Sequence, residues 1–587
     1  MADSPTANAD GPVGLTIKIG GSEIADDVQV LSVSVSAELG RIPQATVVMQ
    51  SGSVAENDFA DADGTDSAIG SEISIAGFYG SGDAQDIFLG VVTGQRMRVT
   101  SGDPTLELTC RDKAATLLFV RKSAFYAAKK DSDIMTQIVT DAGLTADITA
   151  TTDTARDQLR HDCTDWSYLL SIADRSGHVV KVADGKITSA PPDTAASAVL
   201  TVGLGVDIFS LDAETDSRSG FAAAKGRSWD DDAQSPVEGA SAAATDPAWG
   251  TTTAGDLSGV LGDREFALAT SGPMAEADLK TVADARVARS VLAGITGTCS
   301  FTGSGSITPG DVLEITGVGD RFGGMAYVSG VEQRIDAGDW ITRVSLGLPD
   351  NWAVDADGPG GPAAAGLTAP VHGLQVGKVL QVHEDPDSKL RIKLSLPMMA
   401  DPAPELWARF AAPYATASAG IQFLPEVDDE VVVGFFTADP NTPVVIGALH
   451  NGVAARGYEA TADNYIKAIA TNAQLKIEFD DEKKTLTVST PGGHSVVMDD
   501  DATSVTVEDS TGNKLEMTDS GLTLSSPGDV TIKADGKIDI QATGDATLKG
   551  QNVTAQGQMG VTAKGGSQAE LSSGGQTAVK GSMVMIN

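Results

Sequence analysis

Aromatic residues make up only 5% of this 587-residue chain, and cysteine occurs three times, at Cys110, Cys163 and Cys299. Thiols so few, odd in number and far apart provide neither a disulfide framework nor a thiolate zinc site, and they point to folding in a reducing cytosol. Positive charge is scarce as well: 41 Lys and Arg stand against 80 Asp and Glu, for a net charge of -39. A surface of that sign repels phosphate backbones and anionic leaflets, so nucleic acid and bare membrane are poor partners. The acidity itself has two readings, a solvated surface adapted to high salt or a patch that selects a partner. No apolar run approaches the roughly 18 residues of a membrane span, and the start MADSPTANADG lacks the basic and apolar stretches of a leader. If the protein leaves the cell, it is expected to leave inside something else.

Catalytic patterns are also missing. The six histidines, His161, His178, His372, His383, His450 and His494, form no HExxH or HxH grouping, and there is no CxxC, no GxSxG and no strand followed by GxxxxGK[ST]. The expectation is therefore no catalytic, cofactor-binding or metal-binding residue, and no cofactor. Asp499, Asp500 and Asp501 can be read as a calcium turn or as a solvated acidic turn, and the second is favoured. His161 and Asp162 read better as the capped start of a helix than as an acid/base pair.

What the chain does have is length, 65 glycines and many short alternating segments, a mixture that favours mainly β structure in several domains. A flexible N-terminus (1–12) precedes strands such as LTIKI, SEISIAGF and LELTCRD, expected to form a first β-barrel over 13–120. An insert at 121–199 carries one helix with Ile134, Ile138, Val139 and Ala142 on a face, stopped by Gly143. A second helix has Thr164 or Asp165 as N-cap and Trp166, Leu169, Leu170 and Ala173 inward; Gly177 ends it and a hairpin follows. Residues 200–350 return to β pattern as a second barrel, with an acidic low-complexity loop at about 230–262. A Pro/Gly/Ala-rich linker (351–370) leads to five short strands at 371–452 that suit an OB-fold barrel, and a connector (453–473) follows.

From Val530 an apolar-x-apolar triplet recurs every seven or eight residues: VTI, IDI, ATL, VTA, VTA, AEL, TAV and VMI. One three-residue strand per octad buries almost nothing alone. Three chains wound about one axis would bring the first and third side chains inward and close every sheet edge. The expected needle core is Val530, Ile532, Ile538, Ile540, Ala546, Leu548, Val553, Val561, Ala569, Leu571 and Val579. Looser triplets at Ile477, Leu486, Val496, Val505, Leu515 and Leu522 suggest the same design upstream, so the whole of 474–587 is expected to be a triple-stranded β-helix of a homotrimer. A single-chain β-solenoid is the alternative, but its coils need more than eight residues.

Three stretches carry a family resemblance: TDWSYLLSIADRSGHVV, ITPGDVLEITGVGDRFGGMAYVSGVEQRI and, most specifically, GIQFLPEVDDEVVVGFFTADPNTPVVIGALHNG. Together with the octads they resemble the fused hub and spike proteins of contractile tails: VgrG proteins of type VI secretion, phage baseplate hub and spike proteins, and spikes of extracellular contractile particles. The resemblance covers nearly the whole chain. It implies a hub of two tube-type barrels with helical inserts that adapts a trimeric needle to a hexameric inner tube protein, contacts baseplate wedge proteins and carries effector cargo. The target membrane would be met only by mechanical puncture. Only VAARGYEATAD separates the OB segment from the needle, too little for a lysozyme domain. With no HxH at the end, the apolar terminus Met583, Val584, Met585, Ile586 and Asn587 is expected to seat a separate PAAR-type tip protein. The resemblance implies assembly in the cytoplasm into an injection particle, which can be released, membrane-anchored or intracellular. A trimeric surface-binding tail fibre or adhesin is the alternative function, although a fibre has no need of tube-docking barrels.

Overall fold

The computed structural model describes residues 3–25, 28–52, 68–99, 104–218, 220–221, 223–230, 235–242, 245–262, 264–270, 274–352, 363–400, 402–454 and 456–586. Two compact units are distinguished, Met1–Ala455 and Arg456–Asn587.

The first unit is built on period-two strands. In Gln44–Gln50 the inward set is Ala45, Val47 and Met49, and in Thr105–Arg111 it is Leu106, Leu108 and Cys110, all buried. Alternation puts these side chains on one face because successive Cβ atoms point to opposite sides of a pleated strand. The strands of 13–111 and of 200–346 do not stay apart. Gly324–Asp336 pairs antiparallel with Val30–Glu38, from Gly330↔Glu38 to Asp336↔Ser32, and so sews both halves into one 13-stranded sheet. Each half keeps its own core, one around Val47, Ile75 and Leu108, the other around Phe301, Leu313 and Val344. Trp340, from the later half, is buried in the earlier core, stacked on Tyr79 with ring centroids 5.3 Å apart. Its ring lies so close to Gly303 that a Cβ there would stand 2.1 Å from Trp340 Cγ.

The insert holds helices α1 (Asp131–Asp141) and α2 (Asp165–Arg175). Thr164 caps α2 by accepting a hydrogen bond from the Ser167 amide at 3.1 Å. Gly143 and Gly177 follow the two helices with φ of 74° and 73°, conformations that a Cβ opposes. His161 and Asp162 are not part of that helix start. They lie in the strand Arg156–Thr164, at a register shift between Arg160 and Cys163 where Asp162 has φ 38°.

The acidic segment near 230–262 is not one loop. It contains the strand Ser235–Ala240 and a short helix α3 (Ala254–Val260), started by a capping box between Thr253 and Asp256; residues 231–234 and 243–244 lie outside the described set. Polar, Ala-rich composition concealed a strand that gains its order by pairing with Ala223–Asp230 and packing under helix α4 (Glu276–Ala293). There Gly239 approaches so closely that a Cβ would meet Leu279 Cβ at 2.7 Å. The linker expected at 351–370 is described only at its ends, and Leu367 there packs into a small core with Trp352.

The strands Gln375–Gln381, Ile392–Ser395, Glu405–Phe410, Glu430–Phe435 and Pro443–Leu449 close into a barrel around Val379, Leu394, Val431, Val433 and Val445. Leu159 from the insert joins that core.

In the second unit, Ile466–Ala470 through Gly521–Ser525 form a seven-stranded antiparallel meander. This differs from the intertwined arrangement expected over all of 474–587. The upstream triplets are nine or ten residues apart at most steps, enough for a five-residue strand and a reversing turn. Asp480, Asp499 and Asp509 hold those turns by accepting amide hydrogen bonds from residues two to four ahead. The tighter octads are a different case. Among the described residues, 526–586 contain no strand and no backbone-to-backbone hydrogen bond of their own.

Candidate assembly surfaces

The meander is two-faced. Its register sets Ile477 opposite Val488, Phe479 opposite Leu486, Val488 opposite Val496, Met498 opposite Val505, Val507 opposite Leu515 and Met517 opposite Leu522. In six of the seven strands two apolar side chains therefore share one face, joined from Ile466–Ala470 by Ile469 and Lys467, while Glu478, Thr487, Thr506 and Glu516 take the other. In a single chain the apolar face stays partly open: Leu486, Val496, Val505 and Leu515 are half-buried, while Ile477 is 38% and Leu522 66% exposed. Seven strands about 4.8 Å apart and five residues long at about 3.3 Å each give a face of roughly 550 Å², over part of which apolar side chains stand open.

The octads continue this exposure. Ile538 is 51% and Ile540 84% exposed, and Val530, Ile532, Leu548, Val553, Val561, Leu571 and Val579 fall between. Ala546 and Ala569 are exposed too, as are Met583, Val584, Met585 and Ile586; Asn587 lies outside the described residues. Backbone groups without internal partners and open apolar side chains thus occur together in this segment.

In the first unit the insert is locked to the barrel by a buried polar network. Arg175 donates to Asp131 at 2.8 and 2.6 Å and to the Leu367 carbonyl at 3.0 Å. Arg156 and Gln158 also donate to Asp131, at 3.3 and 3.0 Å. Burial pushes the Asp131 carboxyl up, but the charge and hydrogen bonds of Arg175, with help from Arg156 and Gln158, more than reverse this and hold it below the usual carboxylate range. The Leu159 amide donates to Asn441 Oδ1 at 2.6 Å, and Asp439 fixes that asparagine by accepting from its amide and side chain at 2.9 and 3.0 Å. Sequence reading did not find this network, since Asp131, Arg175 and Asn441 are brought together only by the fold.

Among the described residues, no group of three or more His, Cys, Asp and Glu is placed to hold a metal ion. Asp499 and Asp501 are engaged, by the Ala502 amide at 2.8 Å and by Lys484 at 2.7 Å. His161 is partly buried, which pushes its imidazole below its ordinary value, and no acid/base partner faces its buried Nδ1. No helix among the described residues is long and apolar enough to cross a membrane.

The two-half hub sheet, the closed barrel and the apolar column now stand together, and comparison with known proteins covers the same parts. A model of the Alg8 N-terminal domain matches residues 9–337, more than half of the chain. The chain belongs to the Alg8 N-terminal domain family. A second model, the type VI secretion system/phage-baseplate injector OB domain, matches residues 375–450, which contain the closed barrel. No curated protein matches the sequence. Among solved structures, the half-lidded Francisella PdpA-VgrG complex aligns with a TM-score of 0.54 at 9% identity, over 88% of this chain and 88% of that one. The lidded form of that complex gives 0.51 at 9% identity, over 83% and 79%. An E. coli component of the type VI secretion system, described as structurally similar to T4 bacteriophage tail proteins gp27 and gp5, gives 0.47 at 14% identity, over 74% and 99%. The protein is VgrG-like, a fused hub and spike in fold, mainly β with an OB barrel, and these matches indicate no enzyme family.

Proposed function

We propose that the protein is the trimeric hub and spike of a contractile injection machine. The observation that carries this reading is the open apolar side chains of the second unit, from the meander face through the octads to Ile586. Three copies turned face to face cover them, and the octad backbones, which have no partners of their own, pair between chains into a needle. The hub fits the same symmetry. Each chain brings two sheet halves with separate cores, so three chains bring six to a hexameric inner tube.

In this role the protein nucleates the baseplate beside wedge proteins, seats the tube, and is driven through a target envelope with effector cargo. Stiffness comes from interlocked chains and no catalysis is required. The exposed Met583–Ile586 end receives a separate tip protein of the PAAR type. Assembly takes place in the cytoplasm, before the particle is released or anchored.

Light scattering and native mass spectrometry test the assembly directly. The expected species has three times the 60.0 kDa chain mass and resists detergent. A monodisperse monomer at micromolar concentration would overturn the reading.

A further inference from the structure

Within the first unit, a cleft of about 760 Å³ opens between the insert, the start of α4 and the loops of the OB barrel. Its size is that of a ligand site rather than a packing defect. Its cations are already committed: Arg156 and Arg175 to Asp131, and Arg391 to Asp385 at 2.7 Å. Asp157, exposed, and Asp278, half-buried, also line it, and among the described residues each accepts only from a backbone amide, of Ala128 and Thr154 respectively, with no ion pair. Thr368 lines the same cleft. It is 1% exposed, yet its buried Oγ1 has no hydrogen-bond partner, an unfavourable state for a hydroxyl in a protein interior. Trp407 and Phe125, both part-buried, add aromatic walls, which attract cations through their faces.

We infer that this cleft binds an organic cation, an ammonium or guanidinium group on an apolar stem. The charged head sits between Asp157 and Asp278, the stem lies along Trp407 and Phe125, and a polar atom of the ligand engages Thr368. The net charge of -39 draws cations to it from solution. Free polyamines and the Lys or Arg side chains of a protein segment share this chemistry. All of the site lies in one chain, so the inference does not rest on the injection role or on trimerisation.

The full-length protein is titrated by calorimetry, at low and at physiological salt, with spermidine and with a short Arg-Phe-Arg peptide amide. The variants are Asp157→Asn/Asp278→Asn, which keeps both amide acceptors, and Asp83→Asn/Asp86→Asn, which removes the same charge from an exposed turn and the start of the strand that follows it. Thr368→Val is included, with folding checked by circular dichroism. Saturable binding is expected, weakened about tenfold or more (about 1.4 kcal/mol) by the cleft pair and little changed by the Asp83 and Asp86 pair. Thr368→Val should weaken binding further when combined with the cleft pair. Tighter binding of the peptide assigns the site to a protein segment, tighter binding of spermidine to a free polyamine, and either supports it. No saturation at millimolar ligand, or equal loss in both charge pairs, overturns it.

Discussion

Replacing Arg175 with methionine is the most informative single change to the hub. The Arg175 side chain is 7% and that of Asp131 3% exposed, so removing the guanidinium strands a buried carboxylate. Breaking one side of a buried pair costs about 3–5 kcal/mol. At roughly 1 °C per kcal/mol for a unit of this size, the melting temperature should fall by about 3–5 °C. The sign with pH follows from Asp131. In the parent its carboxyl lies below the unfolded value of about 3.9, so its contribution is present above that pH and is lost as pH falls through the depressed folded value. In Arg175→Met burial dominates, the carboxyl moves up, and stability is lost as pH rises. The gap between the two proteins should thus be largest at pH 7 and shrink toward pH 4. Adding Asp131→Asn should restore most of the loss by removing the stranded charge. Calorimetric melts of the four members of that cycle at pH 4, 5.5 and 7 decide the matter. A fall below about 2 °C, or a defect that grows toward pH 4, would refute the argument.

Other outcomes are expected elsewhere. Val496→Asp, on the apolar face of the meander, should disperse the trimer by setting three carboxylates into one buried layer, whereas Thr487→Asp on the opposite face should leave the sedimentation coefficient unchanged. Ile538→Asp should act likewise in the octads, at several kcal/mol per chain; normal trimerisation of that variant would show that Ile538 does not point inward. Asn441→Ala removes the acceptor of the buried Leu159 amide and should cost about 1–3 kcal/mol, seen as faster hydrogen exchange at Leu159 and in the strand Pro443–Leu449. All three thiols are buried, and burial pushes those of Cys110 and Cys299 up to about 12, so the native protein at pH 8 should yield almost no reaction with a thiol-specific disulfide until it is unfolded.

Local chemistry made part of this fold legible without coordinates. Ser, Thr and Asp at helix starts, Gly at helix ends and two-residue alternation in strands act over a few residues, so α1, α2 and the OB strands could be read directly. The helix α4 carried a readable signal too, since Leu279, Val282, Ala283, Arg286, Val287 and Ser290 recur at three- and four-residue steps and are buried. Its alanine-rich, charged composition hid it. The strand Ser235–Ala240 had no such signal, because its order comes from α4 lying across it.

By itself the sequence determined where strands alternate, where helices start and stop, and that an apolar residue returns at nearly every octad. Those patterns follow from the fixed geometry of the backbone. Only the tertiary structure decided which strand pairs with which. The pairing of Gly330 with Glu38 and the hydrogen bond between Leu159 and Asn441 join residues hundreds of positions apart, and nothing in their immediate neighbours specifies the partner. The same limit explains the second unit. Nine- and ten-residue spacing left room for hairpins, so Ile466–Ser525 satisfies its own backbone, while at eight-residue spacing the described residues of 526–586 form no strand of their own.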